Sequence, residues 1–301
     1  MHIRNTTRPL STRASRRKDS HDNAASRYKR SSKPHFKKNA VKKQSVHTKM
    51  PVFFFGHGSP MNAIEDNPFT RHLASLGASL KGRPRAIMVI SAHWYTHGTF
   101  VSTAAHPAMI YDFQGFPEEL YRVVYPAPGS PECAALAMSL APQIMEDSSH
   151  GFDHGAWSVL KHLFPKADIP MFQMSVNADC SLQQHVELAK KLNVLRRRGV
   201  LIVCTGNIVH NLRYFFAQDD ETPYAWASEF DTWIKEKIMN RDINSLIHYT
   251  KAGKIAELSV PDIDHYIPLL YAIALADKHE RISFTYERVF RSMSMRSLRV
   301  G

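Results

Sequence analysis

Seventeen histidines in 301 residues are the first chemistry this sequence offers. Their placement matters more than their number. Three of them follow short apolar runs. His57 follows PVFFF (51–55), inside Gly56-His57-Gly58. His93 closes AIMVISA (86–92), in Ser91-Ala92-His93-Trp94. His210 stands a few residues beyond VLIVCT (200–205), in Gly206-Asn207-Ile208-Val209-His210-Asn211. Neutral imidazole is the commonest metal ligand and suits zinc and iron alike. Ligands of α/β sheets bind outside the carboxyl ends of the strands, so three imidazoles at three such ends would meet in one crevice. A lone histidine after a strand is ordinarily a hydrogen-bonded loop residue. His57 departs from that pattern because glycine on both sides lets the backbone approach a ligand closely. His93 departs because a polar residue closes a strongly apolar run.

Spacing leaves two further histidines open between site and scaffold. His154, in Gly151-Phe152-Asp153-His154-Gly155-Ala156-Trp157, reads as a helix start or a loop residue, with Asp153 as a cap. His265 follows Asp262 and Asp264 at the head of an apolar helix, where acids suit the helix dipole. His97, His106, His162, His185, His248 and His279 lack any such setting and read as surface or hydrogen-bonded core residues.

The elements that must position these groups alternate between two periods. Runs 51–55, 86–92, 170–175 and 200–205 are short, apolar throughout and bounded by turn residues, as buried strands are. Stretch 181–198 carries Leu182, Val186, Ala189, Leu192 and Leu195 on one helical stripe and ends in Arg196-Arg197-Arg198-Gly199. Stretch 226–238 carries a second stripe of Trp226, Phe230, Trp233, Ile234 and Ile238, and 265–276 is a third, nearly all-apolar helix. Strands alternating with helices predict a single α/β domain over 50–301. Its central sheet would be largely parallel, with helices on both faces and the metal site at the strand carboxyl ends. The irregular, proline- and aromatic-rich stretch 104–130 reads as a binding loop or lid.

Charge divides the chain sharply. Residues 1–49 hold 15 Lys and Arg against two acids, whereas the rest holds 24 basic and 25 acidic residues. The first segment has almost no large apolar residues and is expected to be disordered. It could hold nucleic acid or anionic lipid, serve as a transit peptide, or have no role. The nearly neutral body argues against a nucleic-acid partner there. No apolar run reaches 18 residues, so no membrane span is expected. Cys133, Cys180 and Cys204 share no metal-type spacing and suit a reducing, cytoplasmic compartment.

Seven motifs then read together: GHGSPMN (56–62), SAHW (91–94), YDFQGFPEELY (111–121), YPAPGSP (125–131), GFDHGAW (151–157), GNIVHNL (206–212) and DHYIPLLYA (264–272). In this order they resemble the LigB-like family of class III extradiol ring-cleavage dioxygenases, and within it the subgroup of 4,5-DOPA extradiol dioxygenases. The resemblance implies one divalent metal per chain, Zn(2+) or Fe(2+), surrounded by His57, His93, His210 and His265. In iron(II) relatives the positions of His57 and His93 are ligands, that of His265 is a glutamate, and that of His210 is the catalytic base. This chain therefore lacks the carboxylate of the usual facial triad. The position of His154 lies beside the substrate and donates a proton or hydrogen bond. Arg291 stands where relatives usually have glycine, and residues 1–49 have no counterpart.

The expected reaction is oxygen-dependent opening of a DOPA-like catechol beside its two hydroxyls, giving a muconic semialdehyde. His210 would serve as base and His154 as acid. Tyr111, Phe113, Phe116 and Tyr125 would form either an aromatic wall for the ring or ordinary loop packing. The alternatives are a zinc hydrolase with an open coordination position and a non-catalytic relative with a closed set of ligands.

Overall fold

A strand that is apolar at every position needs cover on both faces, because its side chains alternate. The computed structural model, which describes residues 49–301, meets that requirement with helices on each side of one eight-stranded sheet. The strands are β1 (Val52–Gly56), β2 (Ala86–Thr96), β3 (Thr99–Ser102), β4 (Ile144–Asp147), β5 (Met171–Asn177), β6 (Val200–Gly206), β7 (Ile282–Tyr286), β8 (Val289–Phe290), β9 (Met293–Ser294) and β10 (Ser297–Val300). The sheet order is β4-β3-β5-β2-β6-β1-β10-β7, and β8 pairs only with β9. The four central strands β5, β2, β6 and β1 are mutually parallel. Antiparallel pairing is confined to the flanks, where β10 joins β1 and β7, and β3 joins β5.

Val52 and Phe54 enter one core with helices Leu182–Leu192, Ala225–Met239 and Ile267–Ala274. Phe53 and Phe55 enter the other with helices Pro68–Ser79 and His154–Leu163. The expected single helix over 181–198 is two helices, Leu182–Leu192 and Val194–Arg197. Its start is a capping box: the Gln184 amide donates to Ser181 Oγ at 3.3 Å, and the Ser181 amide to Gln184 Oε1 at 2.8 Å.

Stretch 104–130 is irregular apart from the short helix Glu118–Tyr121. It is tied down by the Ile110 amide donating to the Phe152 carbonyl at 2.7 Å and by Trp157 Nε1 donating to the Ile110 carbonyl at 3.0 Å. Residues 1–48 of the expected basic tail lie outside the described residues. Lys49, assigned to that tail from composition, pairs with Asp277 at 2.6 Å and Glu280 at 2.8 Å. Among the described residues no helix is long and apolar enough to cross a membrane.

Candidate metal centre

Three histidines reach the carboxyl edge of the sheet by three routes. His57 follows β1 directly. Its amide donates to the Gly206 carbonyl at 3.1 Å, and its carbonyl accepts from Asn62 Nδ2 at 2.9 Å. The flanking glycines serve a different purpose from the expected one. A Cβ on Gly56 would lie 2.7 Å from the Ser294 carbonyl oxygen, and Gly58, at φ 64, faces the Met295 side chain. The bare backbone therefore admits the C-terminal segment rather than a ligand.

His93 does not end its strand, since β2 runs on to Thr96. The ladder with β5 shifts register between Ile90 and Tyr95, and His93 falls within that interruption. Such breaks re-aim side chains near sites. His265 comes from no strand. It precedes helix Ile267–Ala274, and its carbonyl accepts from the Asn207 amide at 3.0 Å. A Cβ on Gly206 would collide with that carbonyl, so the end of β6 must be bare for His265 to arrive.

The imidazoles converge. His57 Nε2 and His93 Nε2 are 3.0 Å apart, and ligand nitrogens of His57, His93 and His265 all lie within 4.8 Å of one another. Two nitrogens on one tetrahedral zinc at about 2.0–2.1 Å stand roughly 3.3 Å apart, so the pair fits a shared ion closely. The far side of two rings is engaged by oxygen. His93 Nδ1 lies 3.3 Å from Asp112 Oδ2, and His265 Nδ1 lies 3.4 Å from Asn207 Oδ1. Protons held at Nδ1 leave the Nε2 lone pairs for a cation. His57 Nδ1 is buried without a hydrogen-bond partner among the described residues. Burial, then the neighbouring histidines, hold His57 and His265 well below the ordinary imidazole pKa. Burial and His154 bring His93 down to about 3, against the pull of Asp112. The trio is therefore neutral, with lone pairs available, and its donor set fits zinc or iron(II).

His210 stands beside this trio and is not one of its converging donors. Its ring stacks on His265 with centroids 3.6 Å apart and planes 5° from parallel. Its amide donates to the Ser259 carbonyl at 2.9 Å. Burial lowers its pKa to about 4, opposed by Asp262.

His154 opens helix His154–Leu163, with Asp153 as the cap that accepts from the Ala156 amide at 3.1 Å. Its ring centroid is 3.9 Å from that of His93. Asp112, which sequence reasoning missed, joins the two. Its Oδ1 lies 3.0 Å from His154 Nδ1, and its Oδ2 contacts His93. Burial raises the Asp112 carboxyl, but contact with His154 and the charges of both histidines outweigh it and bring the pKa down to about 2. The available signal was an acid set between Tyr111 and Phe113 in an aromatic run.

The expected aromatic wall reduces to fewer members. Phe113 meets His154 edge-on at 5.5 Å, and Phe116 packs on Phe113 at 5.4 Å. The Tyr111 hydroxyl donates to the Val123 carbonyl at 2.7 Å. Tyr125 is a core residue whose hydroxyl donates to the Phe164 carbonyl at 3.1 Å. An unanticipated pair, Trp94 and His150, stacks at 3.7 Å. The histidines read as scaffold behave so: His162 bonds the Asn62 carbonyl, His185 bonds Tyr271, and His97, His106, His248 and His279 are exposed. Arg291 adopts φ 48, the left-handed region that favours glycine. Its side chain compensates by donating to the Asp220 carbonyl at 2.9 Å and the Phe215 carbonyl at 3.2 Å.

Residues 51–295 match the family described as the catalytic LigB subunit of aromatic ring-opening dioxygenase. The chain is 42% identical to the 4,5-DOPA dioxygenase extradiol of Escherichia coli, over 84% of this chain and 96% of that protein. It is 36% identical to the 4,5-DOPA dioxygenase extradiol of Beta vulgaris, over 76% of this chain and 88% of the relative. An uncharacterized Escherichia coli K12 protein of known crystal structure superposes with a TM-score of 0.73 at 39% identity, covering 84% of this chain and all of the other.

Proposed function

We propose, since this chain belongs to the LigB family and is an aromatic ring-opening dioxygenase, that it opens a DOPA-like catechol with O2 in the extradiol sense, giving a muconic semialdehyde. The observation that carries this reading is the convergence of His57, His93 and His265 beside His154 and His210. A divalent metal held by the trio would keep further positions for the catechol oxygens and dioxygen; iron(II) adds the redox activity that zinc lacks.

The flanking histidines divide the proton traffic by their partners. His210 stacks on a neutral imidazole, so its nitrogen is free to take a catechol proton. His154 has a carboxylate 3.0 Å away, the partner a protonated imidazole needs, and serves as the acid. Phe113, edge-on to His154, supplies apolar contact for the ring. Residues 1–49 are read as dispensable for this chemistry. Three free cysteines, two of them buried, suit a cytoplasmic setting.

The test is direct. Iron(II)-loaded full chain, mixed under controlled oxygen with L-DOPA, should consume one O2 per catechol and yield a yellow product. Zinc-loaded chain should do neither. Stoichiometric iron with no oxygen uptake across a panel of catechols would remove the ring-opening reading and leave only the metal site. Ester hydrolysis by the zinc form, without oxygen uptake under any metal, would install the hydrolase instead.

A further inference from the structure

The ring of His93 stands between two sets of donors. Its Nε2 meets His57 Nε2 in the converging trio. Its Nδ1, on the opposite edge, lies 3.3 Å from Asp112 Oδ2, and Asp112 Oδ1 lies 3.0 Å from His154 Nδ1. Ligand atoms of His93, Asp112 and His154 all lie within 4.8 Å of one another, as those of the trio do.

Two features of this second set fit a cation. The first is alignment. His154 Nδ1 is buried and has no hydrogen-bond partner among the described residues, although the carboxylate is so near. The Asp112 oxygen beside it accepts from the His154 amide instead, at 3.0 Å. Two donor atoms about 3 Å apart that share an ion at about 2.1 Å see it roughly 45° off the line joining them. A close contact without hydrogen-bond alignment is the geometry of two ligands of one ion. The second feature is charge. Among the described residues Asp112 pairs with no Lys or Arg, and its ion-pair contacts are these two imidazoles. Its side chain is 23% exposed, which gives a hydrated ion a way in.

Two imidazoles and one carboxylate suit a borderline ion such as zinc, and not magnesium or calcium, which prefer oxygen. We propose that His93, Asp112 and His154 form a second divalent-cation site, filled when the ion is in excess, whose occupant withdraws His154 from the proton traffic and slows ring opening. Binding there replaces the His93 Nδ1 proton, which leaves to solvent, so the His93 ring links both ions. An imidazole that holds an ion at Nδ1 is no longer the protonated acid. Repulsion from the first ion and the positive helix start at His154 make this site weaker than the trio. The site stands on its own geometry, and the slowing rests on the ring-opening reading.

The probes are zinc and cobalt(II). Metal-free full chain is filled with one equivalent of zinc and then titrated with cobalt(II), whose visible spectrum reports its ligands. One equivalent of cobalt should bind while elemental analysis shows the zinc retained. Asp112→Asn and His154→Phe should each keep the zinc and bind the cobalt at least about tenfold more weakly. Cobalt that binds equally well, with the same spectrum, in both variants is an adventitious ion only and overturns the site. On iron(II)-loaded chain, excess zinc should lower oxygen uptake with L-DOPA about 100-fold at unchanged iron content, the loss expected when a positioned acid is removed. Asp112→Asn should lose most of that sensitivity, measured against its own rate without zinc. Full uptake with the second ion bound overturns the slowing. If the cobalt titrations behave as expected and iron-loaded chain takes up no oxygen even without zinc, the cation site stands and the ring-opening reading fails.

Discussion

Two buried polar clusters in this molecule look alike in composition of risk and differ in what they lack. Around Arg296, opposite charges close on one another. Arg296 Nε donates to both Asp231 oxygens at 3.0 and 3.1 Å, Ser294 Oγ donates to Asp231 at 2.6 Å, and Glu287 takes the remaining guanidinium edge. Around His57 the converging groups are all imidazoles, and the carboxylate at hand, Asp112, meets the far nitrogen of His93. Imidazoles from β1, β2 and the segment before helix Ile267–Ala274 turn their nitrogens toward one another, and the close His57–His93 pair has no anion between its Nε2 atoms. Buried polar groups cost free energy unless satisfied. The first cluster is satisfied from within and reads as scaffold. The second converges its nitrogens on one point where they could hold a cation, and that makes it the candidate site.

The largest expected effect breaks the second cluster. His93→Ala removes one of three converging donors, so the protein should lose stoichiometric metal by elemental analysis and lose turnover with it. Folding, followed by circular dichroism, should persist, because no charge is left unpaired. A His93→Ala protein that still holds one metal per chain would place the site elsewhere.

Next comes His154→Phe, which touches the proton traffic and leaves the trio intact. Metal content should be unchanged, while kcat falls about 100- to 10 000-fold, the usual range for a positioned acid, with KM little altered. An unchanged kcat would return His154 to the scaffold. In the first cluster the counterpart is Asp231→Ala, which strands Arg296 with only Glu287. A broken buried pair costs about 3–5 kcal/mol, and the surviving partner points to the low end, about 3 kcal/mol, read as a lower urea midpoint. Metal content of the folded fraction should not change. If it does, the two clusters are coupled and the contrast between them is too simple.

How far these features could be read beforehand follows from where their signals lie along the chain. His57 and His93 end or interrupt apolar runs, so period and punctuation expose them. His210 also lies near a strand end, yet whether such a histidine joins a trio or stacks beside it depends on ring orientation, which spacing does not carry. His265 arrives ahead of a helix at a height set by bare Gly206, a tertiary fact, and only the family resemblance brought it into the site. Asp112 sits in an irregular loop without period. The central parallel strands were legible because both faces are buried. The flanking strands β4 and β7 are partly exposed and lack that uniform apolar pattern, and the length of β2 was hidden by its register shift.

The smallest expected effect separates cation-seeking from self-satisfied groups by pH. His93 is lowered to about 3 and His210 to about 4 from an ordinary 6.5, each by burial first. In metal-free protein the unfolded chain therefore binds protons that the folded chain refuses. Stability from these groups is full above pH 6.5 and drains as pH falls through about 4 for His210 and about 3 for His93. Glu280 behaves oppositely in origin. Burial raises its carboxyl, but hydrogen bonds from Arg196 and Lys49 outweigh that and bring it from 4.5 to about 2. Its contribution is present above pH 4.5 and is lost between 4.5 and about 2. Urea titrations in the presence of a chelator at several pH values should show both limbs. Glu280→Gln should cost at most about 1 kcal/mol at neutral pH, since the group is partly exposed, and should flatten only the limb below pH 4.5. His57→Gln should flatten the limb that begins at pH 6.5. If Glu280→Gln flattens the limb between pH 6.5 and 4.5 instead, the acid sensitivity there belongs to ion pairs and not to unprotonated imidazoles awaiting a cation.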